Sequence, residues 1–247
     1  MNFMKNMTYN LTNENVTLEA YILDSSREMP YMSPRPAVLV IPGGAYHMCS
    51  DREAEPIAMN FAAMGYHSFV LRYSLKEESY FPKPLNDAQE ALDLIIENSE
   101  KWDLDASKIA VCGFSAGGHL AAALGTMGKV RPAGMILGYP CITKDVCDTD
   151  VLANRGHLPF IDEEVDEQTP PAFIFAACDD SCVPLTSSLA IASELEKRKI
   201  PFELHIFDKG QHGFATSDYV TCQNGGDADC GEWIPLCKSR LRNLFFD

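Results

Sequence analysis

The sequence predicts an α/β fold, a mostly parallel central sheet with helices on both faces, in one domain over residues 1–247. Three observations predict it. Short β-branched apolar runs alternate with stretches whose apolar residues recur at helical spacing. The runs are apolar at nearly every position, as in strands covered on both faces. At 46% hydrophobic and 22% charged residues, the chain has material for one large core, and no Pro/Ser/Gly-rich linker divides it.

The elements follow in order. A polar N-terminal stretch has room for one or two edge strands. Ala37–Gly44 (AVLVIPGG) is a buried strand ending in Pro-Gly-Gly. From Glu53 to Met64, Ile57, Ala58, Phe61 and Ala62 keep helical spacing, and Gly65 supplies a stop. HSFVLRY (His67–Tyr73) is the next strand and Leu85–Asn98 the next helix. KIAVCGF (Lys108–Phe114) is a strand that runs directly into the helical AGGHLAAALG (Ala116–Gly125). GMILGYP, PAFIFAA and FELHIF are three more strands, the first two separated by an acidic loop-like stretch and the last two by a helix over Leu185–Arg198. A mobile loop over Gly225–Asp229 and an amphipathic helix over Glu232–Phe246 close the chain.

Charge and cysteine content exclude several classes of function. A formal net charge of −15 without any basic stripe repels phosphate backbones and anionic membrane surfaces. The longest apolar runs, such as Ala172–Cys178, fall far short of a membrane span. No apolar run and cleavage site open the chain, so no secretion signal is expected and the mature protein is expected to begin at Met1. The nine cysteines are odd in number, and Cys112 and Cys178 fall in runs that read as buried strands. A reducing, cytoplasmic setting is expected, without a disulfide framework. No CxxC pair suggests zinc, so no metal is expected.

The most specific motif is Gly113-Phe114-Ser115-Ala116-Gly117, a GxSxG placed between a strand and a helix. A serine on that turn takes a strained backbone, with its Oγ exposed above the sheet and helix-terminal N–H groups beside it. The plain alternative is a glycine turn in which Ser115 caps the helix. A serine nucleophile needs a base and an orienting acid from later loops. Of six histidines, His67 and His205 lie in strands, His47 follows the early glycines, and His119 points into packing. His157 lies in the acidic stretch without an evident anchor. His212, in the glycine-flanked loop after FELHIF, stands where the base belongs. The acid is expected just after PAFIFAA, where Asp179 and Asp180 compete; as helix N-terminal charges ahead of Pro184 both would be ordinary. For the oxyanion, the amide of Ala116 is one donor and that of Gly44 or Ala45, after the strand ending at Pro42, is the other. Together these features predict the α/β-hydrolase fold.

IPGGAYHMCSDRE, GFSAGGHLAA, DDSCVP and KGQHGF together resemble small bacterial α/β-hydrolases of the acetyl esterase, acetyl xylan esterase and feruloyl-esterase-like carbohydrate esterase group, over about Ala37 to Phe214. Ala45 replaces that group's usual third glycine, whereas Tyr46, Ser50, Arg52 and Glu53 match its motif. The resemblance implies that Asp180 is the acid, because Asp180, Val183 and Pro184 match an Asp-x-x-Val-Pro pattern. It also implies deacetylation of decorated sugars. The expected function is therefore a serine carboxylesterase for short acyl esters, with acetylated oligosaccharides as candidate substrates and no cofactor. A small serine peptidase or amidase and a non-catalytic binding protein are the alternatives. No large lid is expected, since the only insertion, between Pro140 and Pro170, must also join two strands.

Overall fold

The structure is a computed structural model describing residues 4–148, 158–222 and 226–246. The polar N-terminal stretch forms two strands, β1 (Lys5–Asn10) and β2 (Thr17–Ile22). Then come β3 (Arg35–Ile41), a 3-10 turn (Asp51–Glu53), α1 (Glu55–Ala63), β4 (His67–Arg72), α2 (Lys83–Glu97), the short α3 (Ser99–Trp102), β5 (Leu104–Phe114) and α4 (Ser115–Met127). The chain continues through β6 (Gly134–Gly138), α5 (Lys144–Cys147), β7 (Ala172–Ala177), α6 (Leu185–Lys197), β8 (Phe202–Phe207), α7 (Ala228–Gly231) and α8 (Trp233–Phe246).

The eight strands form one sheet in the order β1-β2-β4-β3-β5-β6-β7-β8. β1 pairs antiparallel with β2, and β2 antiparallel with β4, while every pair from β4 to β8 is parallel. Side chains alternate between two cores along each strand. Ala37, Leu39 and Ile41 of β3 pack with α2, α4 and α6 residues such as Leu92, Leu120 and Ile191. Val38 and Val40 pack instead with Phe61 of α1 and with Trp233 and Leu241 of α8. Burial on both faces is why these strands are apolar throughout. This is the α/β-hydrolase fold, and among the described residues no large lid covers it.

Register aligns the carboxyl ends of the strands. Ile41 lies beside Gly113, Phe114 beside Gly138, and Ala177 beside Phe207. The loops leaving β3, β5, β6, β7 and β8 therefore share one edge. The chain turns to β4 on one side of β3 and returns to β5 on the other, and it is at such a reversal that open parallel sheets bind ligands.

Three expectations need correction. Glu53 does not open α1; the 3-10 turn ends with it and α1 begins two residues later. Cys178 is exposed, because β7 ends at Ala177. Within Gly225–Asp229, Ala228 and Asp229 belong to α7, whose first turn is capped by the Asp227 carboxylate accepting from the Asp229 amide; Gly225 lies outside the described residues.

Candidate active site

β5 delivers Ser115 onto the first turn of α4 with φ +52°. A left-handed backbone at a non-glycine residue costs on the order of 1–3 kcal/mol and persists only where surroundings enforce it. Here close packing does so. A Cβ at Gly113 would lie 2.2 Å from the Gly117 carbonyl, and one at Gly117 2.2 Å from the Ile41 carbonyl. Only glycines let β3, β5 and α4 meet this closely. Ser115 does not act as a cap, since the cap position is Phe114 and no side chain bonds there.

The Ser115 Oγ instead lies 2.8 Å from His212 Nε2, across 97 residues of sequence. His212 Nδ1 lies 2.7 Å from Asp180 Oδ2. With Nδ1–H donated to the carboxylate, Nε2 is left as an acceptor for the serine proton. Asp180 is itself fixed: its Oδ1 accepts from the amides of Cys182 (2.8 Å) and Val183 (2.9 Å). Burial pushes its pKa up, but the hydrogen bonds and the charge of His212 outweigh this, so its carboxyl sits below the usual value. Asp179, the rival, faces the other way and accepts from the Gln211 amide at 2.8 Å.

Hydrogen bonds along its length hold the Pro42–Tyr46 loop. The Tyr73 hydroxyl donates to the Pro42 carbonyl (2.9 Å) and the Gly43 amide to Glu53 Oε2 (2.8 Å). The amide of His47 closes onto the Gly44 carbonyl, and the Tyr46 hydroxyl meets His119 Nδ1 at 2.7 Å. Among the described residues no acceptor engages the amides of Gly44 and Ala45, which have φ +124° and +53°. The Ala116 amide, in the first turn of α4, has no intrahelical partner. These are the three donors expected from sequence.

Sequence reasoning named Glu53 only as a motif match and missed that it joins these loops. Glu53 is 3% exposed. Its Oε1 accepts from the Tyr139 hydroxyl at 2.7 Å, and that oxygen accepts in turn from the Ala215 amide at 3.1 Å. One carboxyl thus ties the glycine loop to the loops after β6 and β8. Burial raises its pKa, against the lowering effect of the Tyr139 and Gly43 hydrogen bonds and the charges of His212 and Arg52. Trp233 of α8 adds an outer brace, donating from Nε1 to the Ala215 carbonyl at 2.8 Å.

The Ser115–His212 pair borders a cavity of about 430 Å³ lined by Gly44, Ala45, Met48, Cys141, Val146 and Val183 among others. Cys141 Sγ is 3.9 Å from Ser115 Oγ. Burial pushes its thiol up to about 12, so it stays protonated and unreactive near neutral pH. Of the other histidines, His119 is fully buried with both nitrogens bonded, and His67 is buried in β4. His205 packs at a tilt against Phe173, and His47 is exposed. His157 lies outside the described residues. Among the described residues no group of three His, Cys, Asp or Glu side chains is arranged to hold a metal ion, and no helix is long and apolar enough to cross a membrane.

A family model described as BD-FAE matches residues 23–146, or 124 of 247 positions. The chain belongs to the BD-FAE family. The matched stretch holds the glycine loop, Glu53 and Ser115, and ends before Asp180 and His212. Solved structures extend the likeness over the whole BD-FAE chain. MGS-M1, an α/β-hydrolase enzyme from a Medee basin deep-sea metagenome library, is 42% identical with a TM-score of 0.90, covering 98% of each chain. An acetyl ester-xyloside bifunctional hydrolase from Caldicellulosiruptor lactoaceticus is 32% identical with a TM-score of 0.82, covering 96% of this chain and 92% of that one. An acetylxylan esterase of Xylanibacter ruminicola is 28% identical over 216 residues, 80% of this chain and 45% of that protein. The chain spans less than half the length of the first curated relatives it matches.

Proposed function

We propose that this chain is a serine carboxylesterase that removes short acyl groups, acetyl above all, from esters of oligosaccharides. The observation that carries the reading is the continuous hydrogen-bonded relay Ser115–His212–Asp180, at 2.8 and 2.7 Å, opening onto a cavity beside unengaged backbone donors. Ester substrates, and sugar esters in particular, are supported by the names of the acetylxylan esterase and the acetyl ester-xyloside hydrolase.

In this reading His212 Nε2 takes the Ser115 proton as Oγ adds to the ester carbonyl carbon. The carbonyl π pair moves to oxygen, where the Ala116 amide and that of Gly44 or Ala45 receive it. Collapse breaks the bond to the alcohol oxygen, which leaves with the proton from the imidazolium. Water then repeats the sequence on the acyl-serine: its proton goes to His212, its oxygen to the acyl carbon, and Ser115 recovers its proton as the acid departs. Asp180 stays ionised and holds the ring. Every group required is in the chain, and no cofactor enters the reading.

The deciding experiment is Ser115→Ala assayed on p-nitrophenyl acetate, with fluorophosphonate labelling of the parent protein. Turnover is expected to fall by a factor on the order of 10⁶, with the label on Ser115 and the fold unchanged by circular dichroism. Near-parental turnover in Ser115→Ala, or labelling elsewhere, removes the proposal. Running an aminoacyl anilide in parallel separates an esterase from a peptidase.

A further inference from the structure

A second hollow, of about 470 Å³, opens on the far side of His212. It shares Arg52, His212 and Gly213 with the cavity at Ser115, so these three residues border both. Their linings differ in kind. The Ser115 cavity is walled on its other sides by Met48, Val146 and Val183, whereas the second hollow adds Asp179, Lys209 and Gln211.

We propose that this second hollow holds the alcohol half of the ester, that the alcohol is a neutral, hydroxyl-rich sugar ring, and that Arg52 determines its binding. The inference rests on the esterase reading and adds where and how the leaving group is recognised. The chemistry orders the two halves. The atom that receives the proton from His212 is the alcohol oxygen, which must therefore lie against Nε2, and whatever it carries extends past the imidazole. The acyl group lies on the other side, among the apolar residues.

The lining selects the class of alcohol. Arg52, Lys209 and Gln211 are exposed; among the described residues neither Arg52 nor Lys209 forms a salt bridge, and the charge of Arg52 also acts on the buried Glu53. Arg52 offers a planar fork of donors, Lys209 a mobile donor, Gln211 both donor and acceptor, and Asp179 acceptors. Mixed donors and acceptors suit hydroxyls, which are both. An anionic alcohol is disfavoured by the net charge of −15 and by Asp179 on the rim. Arg52 holds this place because the 3-10 turn Asp51–Glu53 sends Glu53 into the interior and leaves Arg52 outside, against Gly213.

The test keeps the acyl group constant and changes the alcohol. kcat/KM is measured for an acetylated methyl β-xyloside and for ethyl acetate with the parent protein, Arg52→Ala, Arg52→Lys and Lys209→Ala. The ratio of the sugar ester to ethyl acetate is expected to fall about tenfold in Arg52→Ala and severalfold in Lys209→Ala, with part of it restored in Arg52→Lys. Methyl β-xyloside itself, added as an inhibitor of ethyl acetate hydrolysis, is expected to lose affinity in the same order. An unchanged ratio and unchanged inhibition in both alanine variants overturn the proposal. So does an effect that instead follows acyl length, from acetate to butyrate at constant alcohol. Failure of the underlying esterase reading looks different: the parent protein would hydrolyse neither ester, which removes both.

Discussion

Asp179 and Asp180 are adjacent carboxylates that hold different partners, and this makes them separable. Asp180→Asn leaves a carboxamide opposite His212 Nδ1, which favours the wrong tautomer; kcat on p-nitrophenyl acetate is expected to fall by about 10⁴. Asp179→Asn keeps a carbonyl oxygen for the Gln211 amide and is expected to cost less than tenfold. The reverse ranking assigns the role to Asp179. Glu53 carries a second expectation at this scale. Glu53→Gln replaces one accepting oxygen with a donor between the Gly43 amide and the Tyr139 hydroxyl, so the glycine loop and the His212 loop lose registry. A displacement of about 1 Å can cost 10²-fold; kcat is expected to fall ten- to a hundredfold with KM within about threefold, and a loss carried mainly by KM refutes the positioning role. That Ser115 and His212 would stand on loops at one sheet edge was legible in the sequence because glycine-flanked turns after apolar runs are local signals. The carboxylate that meets His212 was legible from its surroundings only as a pair, since two strand-end aspartates look alike until the Cys182 and Val183 amides hold one of them; the family motif pointed to Asp180. Glu53 was legible only as a motif match. Asp51-Arg52-Glu53 reads as surface, and a three-residue turn that inverts the last of them leaves no periodicity.

Strands and long helices were legible for the same reason that they are stable. Runs buried on both faces, such as β3 and β5, must be apolar throughout, and α2 and α6 need a continuous stripe. Boundaries and one-turn elements were less so: α7 has one capping aspartate and too few residues for a pattern, and the exposure of Cys178 depends on β7 ending one residue earlier than its apolar run. The segment joining β6 to β7 bears on specificity. Its described parts, α5 and the turn Ile161–Glu163, place Val146 on the cavity wall and build no roof. A long apolar groove would gain about 0.8 kcal/mol for each buried methylene; the expected trend is the opposite, with kcat/KM falling from p-nitrophenyl acetate through butyrate to octanoate. A maximum at octanoate contradicts it. On α4, His119 sets a pH dependence of stability. Its Nε2–H donates to the Pro159 carbonyl at 3.0 Å and its Nδ1 accepts from Tyr46, and burial lowers its pKa to about 4 from 6.5. Below pH 6.5 the unfolded chain binds a proton that the folded one refuses until about pH 4, so stability falls as pH falls through that window. By pH 5 the expected loss is on the order of 2 kcal/mol. His119→Gln, which can keep both hydrogen bonds, is expected to show that much less destabilisation between pH 7 and 5 in urea titrations; an identical pH dependence contradicts it.

At the scale of the whole molecule, the net charge of −15 is the background against which Arg52 and Lys209 stand out, and the sheet sets where they can act. Register alone carries Ile41, Phe114, Gly138, Ala177 and Phe207 to one edge, so loops far apart in sequence meet without any local instruction to do so. The sheet order, with β1 and β2 antiparallel beside the parallel body, was not legible, because strand patterns record burial and not neighbours. The last helix has a role that its amphipathic pattern did not announce. Trp233 stacks on Phe175 with centroids 4.4 Å apart and planes 7° from parallel, while its indole N–H holds the Ala215 carbonyl three residues beyond His212. The chain has two tryptophans, and the other, Trp102, lies far off against Tyr9 and Phe69. Replacing Trp102 by phenylalanine would leave a single indole, held by the same seating of α8 that braces the loop after His212. In that variant the colour and intensity of one indole, excited at the red edge where tyrosine does not absorb, are expected to change when the α8 brace and the loop beside it come apart.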